Sequence, residues 1–253
     1  MNEEDFDKVI DRFLPYRESR EKGAEYRKTY GDVFDRRTLL AFYKLLKRSM
    51  EYVEFPISTG KEAIVFRARG KHDELLAVKV YLISRSNYKG LSKFIDGDDR
   101  FAQVHKTKDN IVFIWARKEY RNLKTYRANN VRVPKPVDMW KNIVIMQYIG
   151  DEKKPAPLMK DVMESLKRDF VFELIEEMKK MLRAGLVHGD LSEYNILAFE
   201  EKPWIIDVAQ AVPKSHYLAK ELLARDIKNV LKIGEKLGAN LSKKELMKEL
   251  EVI

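Results

Sequence analysis

Cysteine is absent from all 253 residues, which excludes disulfide staples and thiolate-held metals alike. The histidines number only four, His72, His105, His188 and His216, and none stands in a ligand spacing such as H-E-x-x-H. Long apolar runs are missing as well. Ile111–Ala116 is among the longest, well short of the ~20 residues that span a bilayer. The opening Met1-Asn2-Glu3-Glu4-Asp5 is acidic and leads into no apolar stretch, so a secretory signal is not expected. There is no internal repeat. These absences predict a soluble, cytoplasmic protein with no membrane partner.

What is present is apolar enough to fold and unusually basic. A hydrophobic fraction of 45% with 11% aromatics supports one substantial core or two small lobes. Net charge is +9, and 35% of residues are charged, as on many mixed solvated surfaces. The excess is local, however. Arg117, Lys118, Arg121, Lys124, Arg127, Arg132 and Lys135 surround the single acid Glu119, a net +6 that points to RNA or ribonucleoprotein contact.

Periodicity divides the chain into parts. Asp35 is placed to cap a helix whose Leu39, Leu40, Tyr43 and Leu46 recur at helical spacing, ending on Lys47-Arg48. Tyr52–Ile57, Glu62–Arg69 and Leu75–Ile83 then read as three consecutive antiparallel strands separated by turn-prone pieces. Ser84 to Asn110 is polar and aperiodic, a predicted mobile link with accessible Ser84, Ser86, Ser92 and Thr107. Trp115, Leu123 and Tyr126 mark a helix that carries Glu119. Asn142–Ile149 reads as a buried strand stopping at Gly150, and Asp151–Pro157 as the best hinge. Further helices are expected over Arg168–Ala184, with Gly185 as its C-cap, and around Leu222–Leu237. Ser242 and Glu245 form a capping box. The predicted domains are a helical extension (1–50), a strand-rich lobe (51–150, with a flexible insertion at 84–110) and a helical lobe (151–253).

The chemistry centres on Leu186–Leu197, where an apolar lead-in delivers His188-Gly189-Asp190 and Asn195 follows five places after the Asp. A second apolar strand, Trp204-Ile205-Ile206, ends in Asp207. This is the layout of a phosphoryl-transfer site in the protein-kinase manner. The remaining parts stand at the right places along the chain. Ser58-Thr59-Gly60-Lys61-Glu62-Ala63 lies between two strands, as a loop offering N–H groups to phosphates must. Lys79 sits inside the apolar strand Leu76–Tyr81, where an ammonium is costly unless it meets an anion. It can reach the α- and β-phosphates of ATP while Glu119 holds it. Met146 can form the pocket wall, with Gln147 and Ile149 binding adenine through the backbone. Asp190 is the acid facing the nucleophile. Asn195 and Asp207 supply hard oxygen ligands for Mg²⁺ or Mn²⁺. Together they place Mg·ATP between two lobes. His188 is expected to shape the loop, with Asp226 as a candidate partner; Asp226 reads equally well as an exposed helix acid.

Several departures from ordinary kinases narrow this reading. The phosphate loop has one Gly, Gly189 replaces the usual Arg before Asp190, and Ser192 stands where many have a Lys. Asp207 is followed by Val208-Ala209-Gln210, with no Phe-Gly and no A-P-E. Only 46 residues follow Asp207, too few for ordinary peptide docking.

On these residues — Ser58–Ala63, Leu186–Leu197 and Ile205–Gln210 — the chain resembles the RIO family of atypical protein kinases, over roughly Asp35 to Gly238. The six-residue phosphate loop is similar to that of the family's first-named subfamily. Gly189 is where the family often has Ala, which reads as a small-for-small change. The resemblance implies an α+β, trimmed bilobal kinase fold: an antiparallel sheet lobe with extra N-terminal helices, and a mainly helical second lobe. It implies Lys79, Glu119, Asp190 and Asp207 as catalytic, with Ala77 and Leu197 joining the nucleotide-binding set. It also implies serine autophosphorylation, an ATPase-like cycle through a phospho-aspartate at Asp207, and work in small-ribosomal-subunit maturation on a precursor particle or its rRNA. The rival readings are a small-molecule phosphotransferase of the aminoglycoside or choline kinase kind, which shares His-Gly-Asp-x4-Asn, and a nucleotide-gated assembly scaffold.

Overall fold

Asp35 starts a helix (α1, Arg36–Arg48) in the computed structural model, which describes residues 34–83, 88–107 and 110–251. The Asp35 carboxylate accepts the Thr38 N–H at 2.9 Å, and Lys47 and Arg48 occupy the last turn, where the helix dipole favours cations. Leu39, Phe42, Leu45 and Leu46 are buried. Leu40, expected on the same stripe, is 41% exposed, because one residue turns the helix by about 100° away from that face.

The helix covers one face of a five-stranded antiparallel sheet. The strands are β1 (Met50–Thr59), β2 (Ala63–Gly70), β3 (Leu75–Tyr81), β4 (Pro136–Trp140) and β5 (Ile143–Gln147), in the order β1-β2-β3-β5-β4. Alternation along β3 sends Leu76, Val78 and Val80 into the core with Phe42, Leu45, Phe66 and Ile145. Phe34 closes that core against the rings of Phe42 and Phe66, at 5.8 and 6.1 Å. Asn142, fully buried at the β4–β5 turn, donates to Thr38 Oγ1 (2.9 Å) and to the Tyr81 carbonyl (2.8 Å), pinning helix to sheet. Asp138 pins the other end, accepting from Arg48 Nε (2.6 Å) and from the Ser49 hydroxyl.

The second part of the chain is mainly helical. It contains α4 (Met159–Val162), α5 (Asp169–Arg183), α6 (Ala219–Lys236) and α7 (Lys243–Glu249), with short ladders β6 (Leu186–Val187) with β9 (Val212–Pro213), and β7 (Ile196–Phe199) with β8 (Lys202–Ile205). The stripe predicted for α5, Leu174, Ile175, Met178, Met181 and Leu182, is buried throughout. Gly185 follows with a φ of +81°, the left-handed turn that ends a helix at low cost. The capping box at Ser242 and Glu245 forms with both bonds.

Two compact units result, and their boundaries interleave along the sequence. One comprises Met1–Leu91, Lys106–Tyr120 and Pro136–Tyr148; the other Ser92–His105, Arg121–Lys135 and Ile149–Ile253. The helix Ile111–Ala128 (α3) is therefore divided between them. The stretch expected as a mobile link carries a helical turn (α2, Tyr88–Ser92) and a 3₁₀ turn (Asp99–Phe101). Phe94, Ile95 and Phe101 are buried anchors in an otherwise polar run, and the Asp98 carboxylate, 1% exposed as a residue, is gripped by Arg100 at 2.7 and 2.8 Å. Thr107 is not simply an accessible side chain. It exchanges bonds with Asn110 that cap α3, the Thr107 N–H donating to Asn110 Oδ1 at 2.8 Å. Ser84 and Ser86, and the first 33 residues of the expected helical extension, lie outside the described residues. The expected hinge at Asp151 is a closed turn, its carboxylate accepting the Lys153 and Lys154 N–H groups at 2.7 and 2.9 Å.

Asp138 also gives the first unit a pH dependence. Burial pushes its carboxyl up, but the hydrogen bonds from Arg48, Ser49 and the Met139 N–H, with the Arg48 charge, hold it below the usual carboxylate range overall. A depressed folded-state pKa contributes stability above the ordinary carboxylate pKa and loses it as the pH falls through the folded value. Asp138→Asn should therefore lower Tm at pH 7 by a few degrees, as a loss of about 1 kcal/mol does in a domain of this size. Its Tm should also fall less steeply than wild type on acidification below about pH 4 in calorimetry.

Candidate active site

The sheet unit carries several of the expected site residues on one face. Ala77, Lys79 and Tyr81 alternate with the core residues of β3 and point to the opposite side. Cross-strand pairing sets Ala77 beside Met146 and Lys79 beside Val144, so the expected pocket-wall residues and the lysine share that face. Lys79 Nζ meets Glu119 Oε1 at 2.7 Å, and the glutamate is 1% exposed. The other oxygen of Glu119 accepts the Tyr81 hydroxyl at 2.6 Å, a partner that sequence reasoning missed. A Tyr two residues after a strand Lys was its only signal. Burial of this ionic pair is tolerable because both carboxylate oxygens are satisfied.

The expected phosphate loop is shorter than six residues. Ser58 and Thr59 are ladder residues of β1 and Ala63 opens β2; the turn proper is Gly60-Lys61-Glu62, closed by the Gly60 N–H on the Ala63 carbonyl at 2.9 Å. Of the expected adenine contacts, Gln147 pairs with Leu76 in the ladder. The Ile149 carbonyl already accepts the Ala156 N–H at 3.0 Å, and Ile149 belongs to the helical unit.

The helical unit gathers the acids. The β7–β8 hairpin pairs Ile196 with Ile205, which brings Asn195 and Ile206-Asp207 together at its open end, and the Ile206 N–H donates to the Asn195 carbonyl at 3.0 Å. Asn195 Nδ2 donates to both the carbonyl (2.8 Å) and Oδ2 (2.9 Å) of Asp190. With Nδ2 so committed, Oδ1 of the amide is the atom left to act as ligand. Asn195 Oδ1 with the Asp207 carboxylate is a set of hard oxygens that fits Mg²⁺, which keeps several of its own waters. Among the described residues no cluster of three or more His, Cys, Asp or Glu could hold an ion by itself. Leu197 lies in β7 opposite Trp204 and bridges to Leu158.

His188 is buried and does shape the loop, although not through a hydrogen bond to Asp226. Its Nδ1 accepts the Asp190 N–H at 3.2 Å, which leaves the proton on Nε2 to donate to the Ile206 carbonyl at 3.3 Å. One imidazole thereby links the segments of both acids. Asp226, weighed as an exposed helix acid, is 1% exposed and accepts the N–H groups of Gly189 (2.7 Å) and Leu191 (2.9 Å). Burial raises its pKa, against the opposing pull of nearby His188 and of those two bonds. Gly189 has a φ of +83°, and a Cβ there would stand 3.3 Å from Leu222. An alanine is strained in that conformation, so Gly for Ala is not a neutral exchange in this chain.

Sequence reasoning also missed the support of Asp207. Its φ is +56°, in the left-handed region, and a 3₁₀ turn (Val208–Gln210) follows. Asn122, fully buried on α3, clamps that turn by donating to the carbonyls of Val208 (2.8 Å) and Ala211 (3.0 Å). An Asn three residues past Glu119 on an apolar helix face was the available clue. The basic run of α3 is thinner than counted. Lys118 is fully buried, and Arg132 pairs with Glu173 and Glu177. Arg121 is exposed but lies over the Phe101 ring and donates to the Arg100 carbonyl; Arg117, Lys124, Arg127 and Lys135 are exposed too.

The buried Lys79–Glu119–Tyr81 group implies an order of costs. Glu119→Ala, which removes the carboxylate that meets the buried Lys79 ammonium, should lower the unfolding free energy by roughly 3–5 kcal/mol. Tyr81→Phe should cost about 1–3 kcal/mol by removing a hydrogen bond to a charged group. Urea denaturation monitored by far-UV circular dichroism measures both, and a Tyr81→Phe protein as stable as wild type would remove the hydroxyl from the account.

Comparison with known proteins shows the family. The RIO domain matches residues 64–246. The RIO-type serine/threonine-protein kinase Rio1 of Methanocaldococcus jannaschii is 40% identical over 236 residues, covering 91% of this chain and 80% of that one. Rio1 of Haloferax volcanii is 38% identical over 221 residues, covering 87% and 76%. Among solved structures, Rio2 kinase from Chaetomium thermophilum superposes with a TM-score of 0.62 over 98% of this chain and 86% of that one, at 19% identity, a likeness of fold. The fold is thus the trimmed kinase-like one, with its antiparallel sheet and helical unit, and the chain belongs to the RIO family of atypical serine/threonine protein kinases.

Proposed function

We propose that this kinase takes Mg·ATP as its substrate and transfers the γ-phosphoryl group to a serine, its own included. It would also hydrolyse ATP slowly through a phospho-aspartate on Asp207. The observation that carries the reading is the pair of hydrogen bonds that Asn195 Nδ2 donates to the Asp190 carbonyl and Oδ2, which occupies Asp190 Oδ2 and leaves Oδ1 for the nucleophile and the Asn195 Oδ1 for the ion. Asp190 Oδ1 receives the proton of the attacking hydroxyl. Lys79, held by Glu119, anchors the α- and β-phosphates, and the Lys61 and Glu62 N–H groups of the turn cover them. In the sheet unit Ala77 and Met146 are assigned to the adenine, with backbone bonds from Gln147; Ile149 and Leu197 of the helical unit are assigned to the same nucleotide. Asn195 and Asp207 would hold the ion, which when bound neutralises charge on the phosphates. In the ATPase branch an Asp207 oxygen forms a bond to the γ-phosphorus as the bond to ADP breaks. Water then cleaves the acyl phosphate and releases inorganic phosphate. A Rio2 structure from Chaetomium thermophilum is described as an ADP/Mg²⁺-phosphoaspartate complex, and that protein's chemistry supports this branch.

The cellular role proposed is cytoplasmic maturation of the small ribosomal subunit. Its support is the exposed remainder of the basic run, Lys124, Arg127 and Lys135 in the helical unit, which suits a phosphate backbone.

Two measurements test these proposals. With labelled ATP and Mg²⁺, Asp190→Ala and Asp207→Ala should each lower turnover by ~10²-fold or more. Acid-stable label that resists hydroxylamine marks phosphoserine, and hydroxylamine-labile label marks the acyl phosphate; unchanged turnover in both variants sinks the reading. Charge reversal at Lys124 and Arg127 should weaken binding to small-subunit rRNA and flatten its dependence on salt, by a slope of about 2 for two lost phosphate contacts. An unaltered affinity and slope would make the run a solvated face.

A further inference from the structure

Asp190 carries a second neighbour that the phosphoryl-transfer scheme leaves unused. Its side chain is 45% exposed, and its Oδ2 accepts from Asn195 Nδ2 at 2.9 Å. The remaining oxygen, Oδ1, lies 3.9 Å from Nη2 of Arg225 on α6. The same Nη2 donates to Gln210 Oε1 at 3.0 Å. Gln210 ends the 3₁₀ turn that begins just after Asp207. One guanidinium therefore spans the segments of both acids.

Its position is imposed by the fold rather than by a flexible side chain alone. The next residue on the helix, Asp226, is tied to the Gly189 and Leu191 N–H groups, so α6 and the Asp190 loop share one frame. Gln210 in turn rests on a turn clamped by Asn122. A separation of 3.9 Å is within ion-pair range but beyond hydrogen-bond length. Oδ1 is thus drawn toward the cation without losing the lone pair that a base needs. Arg225 has five N–H donors, of which the bond to Gln210 uses one. The second N–H of Nη2 is left beside the oxygen that meets the nucleophile.

We propose that Arg225, oriented by Gln210, is a positioning residue for phosphoryl transfer. It holds the Asp190 carboxylate from the side opposite Asn195 and sets a cation next to its reacting oxygen. The inference rests on Asp190 acting as proposed above. In this chain the residue before Asp190 is a glycine, so the neighbouring cation comes from a helix 35 residues further along.

The test measures steady-state Mg·ATP turnover and autophosphorylation for wild type, Arg225→Ala, Arg225→Lys, Gln210→Ala and the Arg225→Ala/Gln210→Ala double variant, with Asp190→Ala as control. Arg225 is a half-exposed side chain, and all variants are checked for an unchanged Tm. The expected result is a kcat roughly tenfold or more lower in Arg225→Ala, with KM for ATP within about twofold of wild type. Millimolar guanidinium should restore part of that loss, and Arg225→Lys should fall between. Gln210→Ala should shift kcat in the same direction, and the double variant should be no slower than Arg225→Ala alone. A kcat unchanged in Arg225→Ala, a loss that guanidinium does not restore, or fully additive single losses overturns the proposal while leaving Asp190 in place. Full activity in Asp190→Ala overturns both readings.

Discussion

The carboxylate of Asp226 holds the loop that carries Asp190, on which the proposed chemistry depends. It lies 1% exposed beneath Gly189–Leu191 and takes two backbone N–H groups that have no ladder to join. A buried carboxylate is costly unless its oxygens are satisfied, and here each oxygen has one N–H. The cost remains visible in the raised pKa that burial imposes, and the nearby His188 moderates it. In exchange the loop gains a fixed conformation. Gly189 can turn left-handed, His188 can face Ile206, and Asp190 is left partly open to its surroundings with both oxygens directed.

From that anchor the acids are organised by short, polar links rather than by a packed core. Asn195 and His188 connect the Asp190 loop to the strand that carries Asp207. Asn122 steadies the turn beyond Asp207, where the backbone itself is left-handed at an aspartate. Strain of that kind persists where surrounding bonds over-determine it, as those of Asn122 do for the turn that follows Asp207. The sheet unit follows the same rule. Lys79 is acceptable on an apolar strand because Glu119 answers its charge and Tyr81 answers the glutamate.

Some readings of the chain depended on tertiary context that composition hides. The polar stretch after β3 looked mobile because three aromatic or aliphatic anchors, Phe94, Ile95 and Phe101, are too sparse to form a period. The basic run on α3 looked continuous because charge counts ignore direction. A helix turns Lys118 inward while Lys124 and Arg127 face water. Asp226 read equally well as an exposed acid for the converse reason: one carboxylate on a buried face does not alter the apolar stripe of Leu222, Ile227 and Val230.

By itself the sequence determined the alternation that put Lys79 and Ala77 on one face of β3, the caps at Asp35, Gly185 and Ser242, and the Asp190-x4-Asn195 spacing that a loop and a hairpin turn into neighbours. These are local, set by the periods of strand and helix and by the steric freedom of single residues. Only the tertiary structure decided which groups complete the acids: Asp226 and Arg225 from a helix some 35 residues away, and Asn122 from one that precedes the loop by more than 60. Each is an ordinary polar helix residue when read in isolation. Its role comes from chain segments meeting in space, which no period of the sequence encodes.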